Sequence, residues 1–582
     1  MPPLKGAMMA AWARRSVRWW VPAVTALTTF VVFVPSLWSE FVTWDDLAMF
    51  TGNADYRGLG WTQLRWMWTT FHLGEYMPVT WMTYAADYLL WGLNPSGYHL
   101  TNLLLHTVTA LVTYCLALRL LKMGSWGAEA GNQEALHVAA GLAALAFAIH
   151  PLRAEPVGWV SARGSVLGGL FVLLATLAYL KACSRADAGP LRRRWLAITV
   201  GLFLMSLLSR ATSVMLPVAF LVLDVYPLRR LGGGAGRWFT ADVRPVWLEK
   251  LPFLGLALLM APLAFLARAD ENVFGRDHYD AVAGAAVALF GLAFYMTKTF
   301  LLGPLSPLYE RPLRVNPLDW PYLMSGLLVL GLSVLLVAGR RRWPGGLAAW
   351  VWYAVILAPT LGFIPYGHQI VADRYSYVAC LAWAMLAGVG ALGWWHASRS
   401  SRVGRPVWVL TTGLTLAALL GLGVLSWNQV QIWRDSRTLW THAVLVTPRS
   451  GVAHSKLGYL AEKEGKLHEA IAHYRQAAQI RPTDPRHAVN LGRALVQRGQ
   501  ELAQEGRLDE AVESYRAAVP LRPDSAPVHY NLGLALAELG MLDQAVEHYR
   551  TALRLRPNFA EAHVSLDAAL RRLAGRVGGG GG

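Results

Sequence analysis

Charged residues are scarce in this 582-residue chain. They make up 15% of the sequence, whereas hydrophobic residues make up 55%; an ordinary soluble protein has about 25% charged residues. The scarcity is greatest over residues 20–427, where apolar runs recur, and several runs approach the roughly 20 apolar residues that cross a bilayer. This excludes a soluble globule and predicts an all-α, polytopic membrane domain over 1–427, followed by a soluble helical domain over 428–577.

Cysteine and the common nucleotide or metal motifs are also rare or missing. The three cysteines, Cys115, Cys183 and Cys380, lie in or beside apolar runs and form no CxxC pair. Neither a disulfide framework nor a zinc site is therefore predicted. The chain has no phosphate-binding loop, Rossmann glycine pattern, HExxH or nucleophile elbow. A nucleotide-consuming site is thus not supported, and no divalent metal is indicated.

Acidic residues are outnumbered, 36 against 53 lysines and arginines, which gives a formal charge of +17. The basic residues cluster in short loops between apolar runs, at 14–18, 181–194, 229–244, 340–342 and 399–405. Cytoplasmic loops of membrane proteins carry this excess. The charge therefore predicts membrane topology, and no nucleic-acid partner.

Twelve apolar runs are candidate spans, but the charge pattern fits only if one of them does not cross. We choose 281–303, because Lys298 interrupts it and its first half is rich in Ala and Gly. About eleven spans then place the N-terminus and every basic cluster in the cytoplasm, and the C-terminal domain outside. The expected location is a bacterial inner membrane, with the acidic loop 39–98 on the outer face.

The soluble part carries a repeat. Prolines at 448, 482, 523 and 557 are spaced by 34, 41 and 34 residues, and a helix-turn-helix period of 34 is typical of tetratricopeptide (TPR) repeats. We predict three full repeats, with Leu491-Gly492 in the middle one, plus a half repeat, a capping helix and a Gly tail at 578–582. Such an α-solenoid usually presents a groove to a protein partner; a purely stabilising cap is the alternative.

Two adjacent carboxylates, Asp45 and Asp46, follow the first span. Like charge and desolvation would raise one pKa toward the range of a general base. We expect one to face a reacting centre and the other to hold the site. A solvated interfacial pair or a helix cap is the alternative interpretation.

Positive groups recur near predicted outer helix ends. Arginine at bilayer depth is a functional candidate, and it suits bidentate binding of phosphate. Each residue alone could instead be a snorkelling or ion-paired side chain, but their convergence on an acidic loop favours a lipid-phosphate site. The candidates, with their polar neighbours, are His150, Arg153, Glu155, Arg163, Arg210, His368, Asp373 and Arg374.

Nine short segments form an ordered set of motifs: 41–46, 76–78, 91–95, 98–106, 150–163, 209–210, 223–228, 367–369 and 372–377. Together they resemble the transmembrane-and-TPR-repeat family of O-mannosyltransferases, which are membrane glycosyltransferases of the GT-C type. The resemblance spans nearly the whole chain, which would be a bacterial-type member.

The resemblance implies transfer of a mannose-like sugar from a polyprenyl phosphate to a protein or glycan hydroxyl on the outer face. Asp45 and Asp46 match the catalytic doublet, and Arg374 and Arg163 match positions suited to the lipid phosphate. With them we group Arg153, Arg210 and His150 as lipid-phosphate ligands, and Glu155, Tyr76, His368 and Asp373 as support for the acceptor or the site. Expected partners are membrane lipid, the lipid-linked donor and a protein bound by the TPR groove.

Three of the motifs depart from the family pattern. The family often has Arg where this chain has Met77, Glu where it has Ala211, and Lys-Asp where it has Gly164-Ser165. The departures imply an altered donor or acceptor, or weakened activity. A non-catalytic scaffold that recruits envelope proteins is therefore the main alternative function. A transporter is less favoured, because the ionisable residues lie near span ends.

Overall fold

The computed structural model describes residues 2–124, 133–184, 189–231, 238–269, 279–362, 369–399 and 404–578. Within them the chain is almost entirely helical and divides into two compact units, residues 1–439 and 440–582. The expected all-α class is confirmed. His368 lies outside the described residues, as do residues 579–582 of the Gly tail.

The first unit is a helical bundle with one small sheet. Its helices are α1 (Pro2–Phe33), α2 (Trp61–Thr69), α3 (Pro78–Trp91), α4 (Pro95–Met123), α5 (Gln133–Ala148), α6 (Ala154–Gly158), α7 (Arg163–Cys183), α8 (Pro190–Ser209), α9 (Leu216–Val225), α10 (Arg244–Leu248), α11 (Leu251–Ala269), α12 (Ala281–Leu301), α13 (Trp320–Ala338), α14 (Pro344–Leu357), α15 (Ser376–Ala379), α16 (Leu381–Arg399) and α17 (Arg405–Gln431). Strands β1 (Tyr309–Glu310) and β2 (Gln369–Val371) pair antiparallel.

Within the described ranges, six helices are long and apolar enough to cross a membrane, and up to nine spans result if each of three bent helix pairs counts as one. α13 and α17 keep most of their leucines and valines exposed. Such apolar surfaces are unfavourable in water and suited to lipid. The protein is therefore a multi-pass membrane protein, whereas the count of eleven spans stays a prediction.

The helix ends of this bundle fall into two groups. Ser426 of α17 donates to the carbonyl of Ile149 after α5 (2.7 Å), and Thr80 of α3 donates to the carbonyl of Ser209, which ends α8 (2.8 Å). The end that contains these contacts also holds the loop of Asp46, and we call it the Asp46 end. The opposite ends of α8 and α17 adjoin the basic loops 181–194 and 399–405, and we call that side the basic end.

Helix α12 does not follow this alternation. Tyr279, just before α12, donates to the carbonyl of Pro312 (2.6 Å), and near its end a ring nitrogen of His150 lies 3.0 Å from the carbonyl of Thr299. Pro312 follows β1, which pairs with the strand that leads into the Asp46 end. The helix is long and apolar enough to cross, yet both of its ends contact the same side. That 281–303 does not cross therefore stays a prediction, as does the total number of spans.

The acidic loop between α1 and α4 is ordered by an aromatic cluster. Phe50 packs against Tyr84 with ring centroids 4.9 Å apart, and the hydroxyls of Tyr56 and Tyr98 are 2.9 Å apart. Met77, one of the departures from the family pattern, is buried in the same cluster. The loop is therefore a packed lid of short helices, α2 and α3, on the Asp46 end.

The second unit is a stack of helix pairs. Its helices, preceded by α18 (Ser436–Val446) at the boundary of the units, are α19 (Gly451–Lys463), α20 (Leu467–Ile480), α21 (Pro485–Gln504), α22 (Leu508–Ala518), α23 (Ala526–Glu538), α24 (Leu542–Leu555) and α25 (Ala560–Gly578). Close packing requires a glycine opposite a tyrosine: a Cβ on Gly458 would lie 2.8 Å from the ring of Tyr474, and one on Gly533 would lie 2.7 Å from the ring of Tyr549. The predicted solenoid of helix pairs is confirmed.

The middle repeat corrects one assignment. Its seven extra residues lengthen α21 to 20 residues, against 13 in α19 and α23. Gly499, and not the predicted Gly492, packs against Tyr515, where a Cβ would meet the ring at 2.6 Å. Because two added helical turns keep the buried face in register, the insertion moved the contact glycine seven residues along the chain.

Candidate active site

Asp46 is an anchor of the acidic loop. Its side chain is buried, one oxygen accepts hydrogen bonds from the amide and the hydroxyl of Ser161, and the other accepts from the amide of Val42 (3.0 Å). Burial raises the pKa of Asp46 to about 6, although these hydrogen bonds favour the ionised form and lower it. The carboxylate therefore holds the loop against the turn that begins α7.

Asp45 differs from its neighbour in exposure, because its side chain is only partly buried. Beside the doublet, the ring of Trp44 lies 5.7 Å from that of Trp159, and the guanidinium of Arg374 lies 5.1 Å from the same Trp159 ring. Trp159 therefore links the acidic loop to the cations. Of the two carboxylates, Asp45 is the one accessible to a second molecule.

Arg374 is buried and fixed by Glu155. One oxygen of Glu155 accepts from the backbone amide of Arg374 (2.9 Å), and the other forms a salt bridge with its guanidinium. Both side chains are almost completely buried. Two-point binding of this kind sets both the position and the orientation of the guanidinium. Nε of Arg374 has no hydrogen-bond partner among the described residues.

Arg210 is held in a similar way by a residue of the acidic loop. Its guanidinium donates to Glu75 (2.8 Å) and to the hydroxyl of Ser165 (2.8 Å). Ser165 is one of the departures from the family pattern, so this departure lies in direct contact with a cation of the site.

Arg210 and Arg374 line one cleft at the Asp46 end, with a volume of about 40 Å³. Hydroxyl side chains also line the cleft, from Ser165, Thr212, Ser213, Thr360, Tyr375 and Tyr377. Among the residues that the structure describes, no carboxylate lines it. A space of roughly 10–15 Å³ holds one water, so the cleft admits a small group such as a phosphate. Two guanidinium groups and several O–H donors are suited to such an anion.

Arg163 does not line this cleft, and its assignment as a phosphate ligand stays a prediction. Its guanidinium is fully buried and forms a salt bridge with Asp87. It also donates to Asn102 (2.6 Å), the carbonyl of Tyr98 (2.9 Å) and Thr83 (3.2 Å). Because these groups occupy its donors, Arg163 fastens α3 and α4 to the start of α7.

Arg153 and His150 also lie behind the cleft. Arg153 is buried, with its guanidinium 5.3 Å from the ring of Tyr377, which lines the cleft, and 4.9 Å from that of Phe147. His150 accepts from the amide of Leu152 (3.2 Å) and caps the turn that carries Arg153. The structure therefore places both beside the cleft walls without bringing them into it.

The remaining predicted residues have separate positions. Asp373 is buried next to Arg374, and its Oδ1 has no hydrogen-bond partner in the described part of the chain. Tyr76 donates to the carbonyl of Trp68 within the acidic loop (3.2 Å), so it contributes to the loop itself. His368 cannot be placed, because it lies outside the described residues.

Sequence reasoning did not find the polar partners that complete the site. Trp159 and Ser161 lie within the matching segment 150–163, but no role was predicted for them, and Ser165 was noted only as a departure. Glu75 was visible as an acidic residue of the outer loop, but its pairing with Arg210 joins positions 135 residues apart. No spacing along the chain could predict that contact.

Comparisons with known proteins identify the repeats directly. Models of the tetratricopeptide repeat match residues 453–484 and 526–559, and a related TPR repeat model matches residues 499–540. The prediction of TPR repeats is confirmed.

Similarity over most of the chain is found with protein O-mannosyl-transferases. Tmtc3 of Drosophila melanogaster is 26% identical over 479 residues, which cover 72% of this chain and 50% of that protein. TMTC3 of Homo sapiens is 25% identical, covering 72% and 46%. The chain thus spans about half the length of the curated relatives it matches, and the expected resemblance to this family is confirmed.

Solved structures give weaker matches. The oligosaccharyltransferase of Archaeoglobus fulgidus superposes with a TM-score of 0.39 at 15% identity, over 72% of this chain and 56% of that one. MamA matches 23% of this chain and 75% of its own, with 21% identity and a TM-score of 0.19.

Proposed function

We propose that this protein is a membrane glycosyltransferase that moves a mannose-like sugar from a polyprenyl phosphate to a hydroxyl on a protein or glycan. The observation that carries the proposal is the cleft at the Asp46 end, where Arg210 and Arg374 meet among hydroxyl groups beside an acidic loop. The similarity to protein O-mannosyl-transferases supports the same class of reaction.

In this proposal the two arginines bind the phosphate of the donor. The bond between the anomeric carbon and the phosphate oxygen breaks, and the lipid phosphate leaves with the electron pair. Because the guanidinium groups neutralise charge that develops on that oxygen, they stabilise the transition state more than the ground state. Glu155 and Glu75 are positioning residues that hold the two arginines in place.

Asp45 acts as the general base. It takes the proton of the acceptor hydroxyl while the acceptor oxygen forms its bond to the anomeric carbon. Asp46 holds the site in place, because its buried oxygens accept hydrogen bonds from Ser161 and Val42 and so anchor the loop. This division rests on the partial exposure of Asp45 against the burial of Asp46.

The departure at Ser165 is compatible with activity. In this chain the Ser165 hydroxyl accepts from Arg210 (2.8 Å), so a neutral contact takes the place of a carboxylate. The acidic residues of the family at 165 and 211 and its basic residues at 77 and 164 are all replaced by neutral ones here, so the departures leave the summed charge of these positions unchanged. We infer a retained phosphate site with altered donor or acceptor preference.

The basic loops at the far end of the bundle favour an orientation with the site on the outer face, in a bacterial inner membrane. The TPR unit would bind the acceptor protein or another partner.

The test is mass spectrometry of envelope proteins from a deletion strain complemented with wild-type or variant chains. We expect hexose on Ser or Thr to disappear in the deletion, return with the wild type and stay absent with Asp45→Asn. Arg341→Gln, an exposed substitution at the basic end, serves as the matched control and should restore it. Full restoration by Asp45→Asn, with loss only on substitution in the TPR groove, would instead identify a scaffold.

A further inference from the structure

A second and larger cavity lies at the basic end of the bundle. It has a volume of about 410 Å³ and is enclosed by α4, α7, α14 and α16 and the end of α9. Thr176 lines it on α7, whereas the cleft of the candidate site uses residues 164–172 of the same helix. Arg229 and Arg342, which also line it, belong to the basic loops 229–244 and 340–342, so this cavity opens at the basic end, opposite to the cleft at the Asp46 end.

The cavity walls are mostly hydrocarbon. Leu116, Leu223, Trp352 and Leu381 are examples from four different helices. A void of this size forfeits the dispersion contacts that close packing would give. In a bilayer, the acyl chains of lipids are the apolar groups that can enter such a space. The apolar walls of the cavity are therefore suited to acyl chains.

The mouth of the cavity is charged. Arg229, from the loop after α9, and Arg342, from the loop before α14, both line it, and the ring of Tyr226 lies beside them. Both arginines are exposed, and neither forms an ion pair with a residue that the structure describes. An apolar space closed by two such cations is complementary to an amphiphile with an anionic head.

The turn that carries Arg229 is built into the fold. The amides of Arg230 and Leu231 both donate to the carbonyl of Asp224 (2.7 and 3.1 Å), and the guanidinium of Arg230 donates to the Asp224 carboxylate (3.0 Å). Lys250 forms a second salt bridge with Asp224, which is fully buried (2.6 Å). Arg229 itself has a left-handed backbone, with φ of 54°. A non-glycine residue keeps that conformation only where its surroundings impose it, and here the Asp224 network does so.

We propose that this cavity binds one anionic phospholipid, with its phosphate between Arg229 and Arg342 and its acyl chains between α4, α14 and α16. The charge at the mouth decides between this ligand and the tail of a polyprenyl donor. A tail that entered from the other cleft would bring no negative group to the basic end. The proposal stands independently of the glycosyltransferase function.

The test uses the full-length protein in nanodiscs of phosphatidylcholine with a fixed fraction of phosphatidylglycerol, followed by extraction in mild detergent and native mass spectrometry. We expect the wild type to retain one phosphatidylglycerol. The double variant Arg229→Gln/Arg342→Gln should lower that occupancy by about ten-fold, because each arginine contributes electrostatic attraction to the anionic head. The matched control Arg340→Gln/Arg341→Gln removes two charges of the same loop that do not line the cavity, and should retain the lipid.

A second variant tests the apolar walls separately. Ala349→Phe places a ring into the cavity and should expel the lipid while both arginines stay in place. Equal retention of phosphatidylglycerol by the Arg229/Arg342 variant and its control would overturn the proposal. So would retention of phosphatidylcholine in preference to phosphatidylglycerol, or displacement of the bound lipid by added polyprenyl phosphate.

Discussion

The two carboxylates of the acidic loop should respond differently to substitution, although they are adjacent. Asp45→Asn keeps the shape of a partly exposed side chain and removes only its ability to take a proton. We expect transfer activity to fall by about 10²–10⁴-fold, which is the usual contribution of a general base. The free energy of unfolding should change by less than about 0.5 kcal/mol, as for most surface substitutions.

Asp46→Ala should act first on the fold of the loop. It leaves three buried donors without an acceptor, from Val42 and from the amide and hydroxyl of Ser161, at roughly 1–3 kcal/mol each. Part of that loss is offset, because burial of the ionised carboxylate is itself unfavourable. It raises the pKa of Asp46 from 3.8 to about 6, so removing the carboxylate relieves a cost of about 3 kcal/mol in the free energy of folding. The net loss is on the order of 3 kcal/mol, enough to undock the loop in a fraction of molecules.

Two measurements separate these effects. Sugar transfer from a polyprenyl-phosphate donor to a Ser/Thr peptide reports activity, and hydrogen exchange of residues 42–50 reports docking of the loop. Asp45→Asn should be inactive with wild-type exchange, whereas Asp46→Ala should exchange faster. If Asp45→Asn keeps most of its activity while Asp46→Asn abolishes it without faster exchange, the assignment of roles is reversed and our reasoning from exposure is wrong.

Three further predictions concern the arginines of the first unit, the pKa of Asp46 and two glycines of the TPR unit. Arg210→Gln and Arg374→Gln should each lower kcat/KM for the lipid-linked donor by about 10-fold or more, since each removes a charge-assisted hydrogen bond worth ~1.5–3 kcal/mol. Arg163→Gln should mainly lower the thermal unfolding temperature. The reverse pattern would contradict the proposal that Arg210 and Arg374 bind the donor phosphate in the cleft. The pKa of Asp46 is higher in the folded state than in the unfolded chain, so loop docking should be strongest below about pH 4 and weaken as the pH rises to about 6. Hydrogen-exchange protection factors of the loop, measured between pH 4.5 and 7 relative to the intrinsic exchange rate at each pH, should fall with pH in the wild type and stay constant in Asp46→Asn. In the TPR unit, Gly458→Ala should destabilise the fold, because the added Cβ would lie 2.8 Å from the Tyr474 ring. A Cβ on Gly575 would meet nothing within 4 Å, so Gly575→Ala should be neutral or stabilising by up to ~1 kcal/mol. Thermal unfolding temperatures of the two full-length variants test this difference.

The solenoid shows how far periodicity along the chain can be taken. The spacing of prolines predicted the helix pairs, because each repeat is stabilised by contacts between residues close in sequence. The same spacing placed Leu491-Gly492 in the middle repeat, whereas Gly499 is the glycine that packs against Tyr515 in the structure. The proline spacing gives the length of the insertion, which is seven residues. Whether these residues lie before or after the glycine that contacts Tyr515 depends on how α21 packs against α22.

The membrane class, the basic clusters, the repeats and the acidic doublet could all be predicted from the sequence, since apolar runs, charge clusters and a repeat period are properties of neighbouring residues. Which carboxylate is accessible and which arginines share a cleft became clear from the folded chain alone. Arg163 and Arg210 look alike in the sequence, each at the end of an apolar run. Asp87, 76 positions from Arg163, and Glu75, 135 positions from Arg210, give them different roles. The availability of a buried cation depends on what surrounds it in space, and the pattern along the chain does not contain that information.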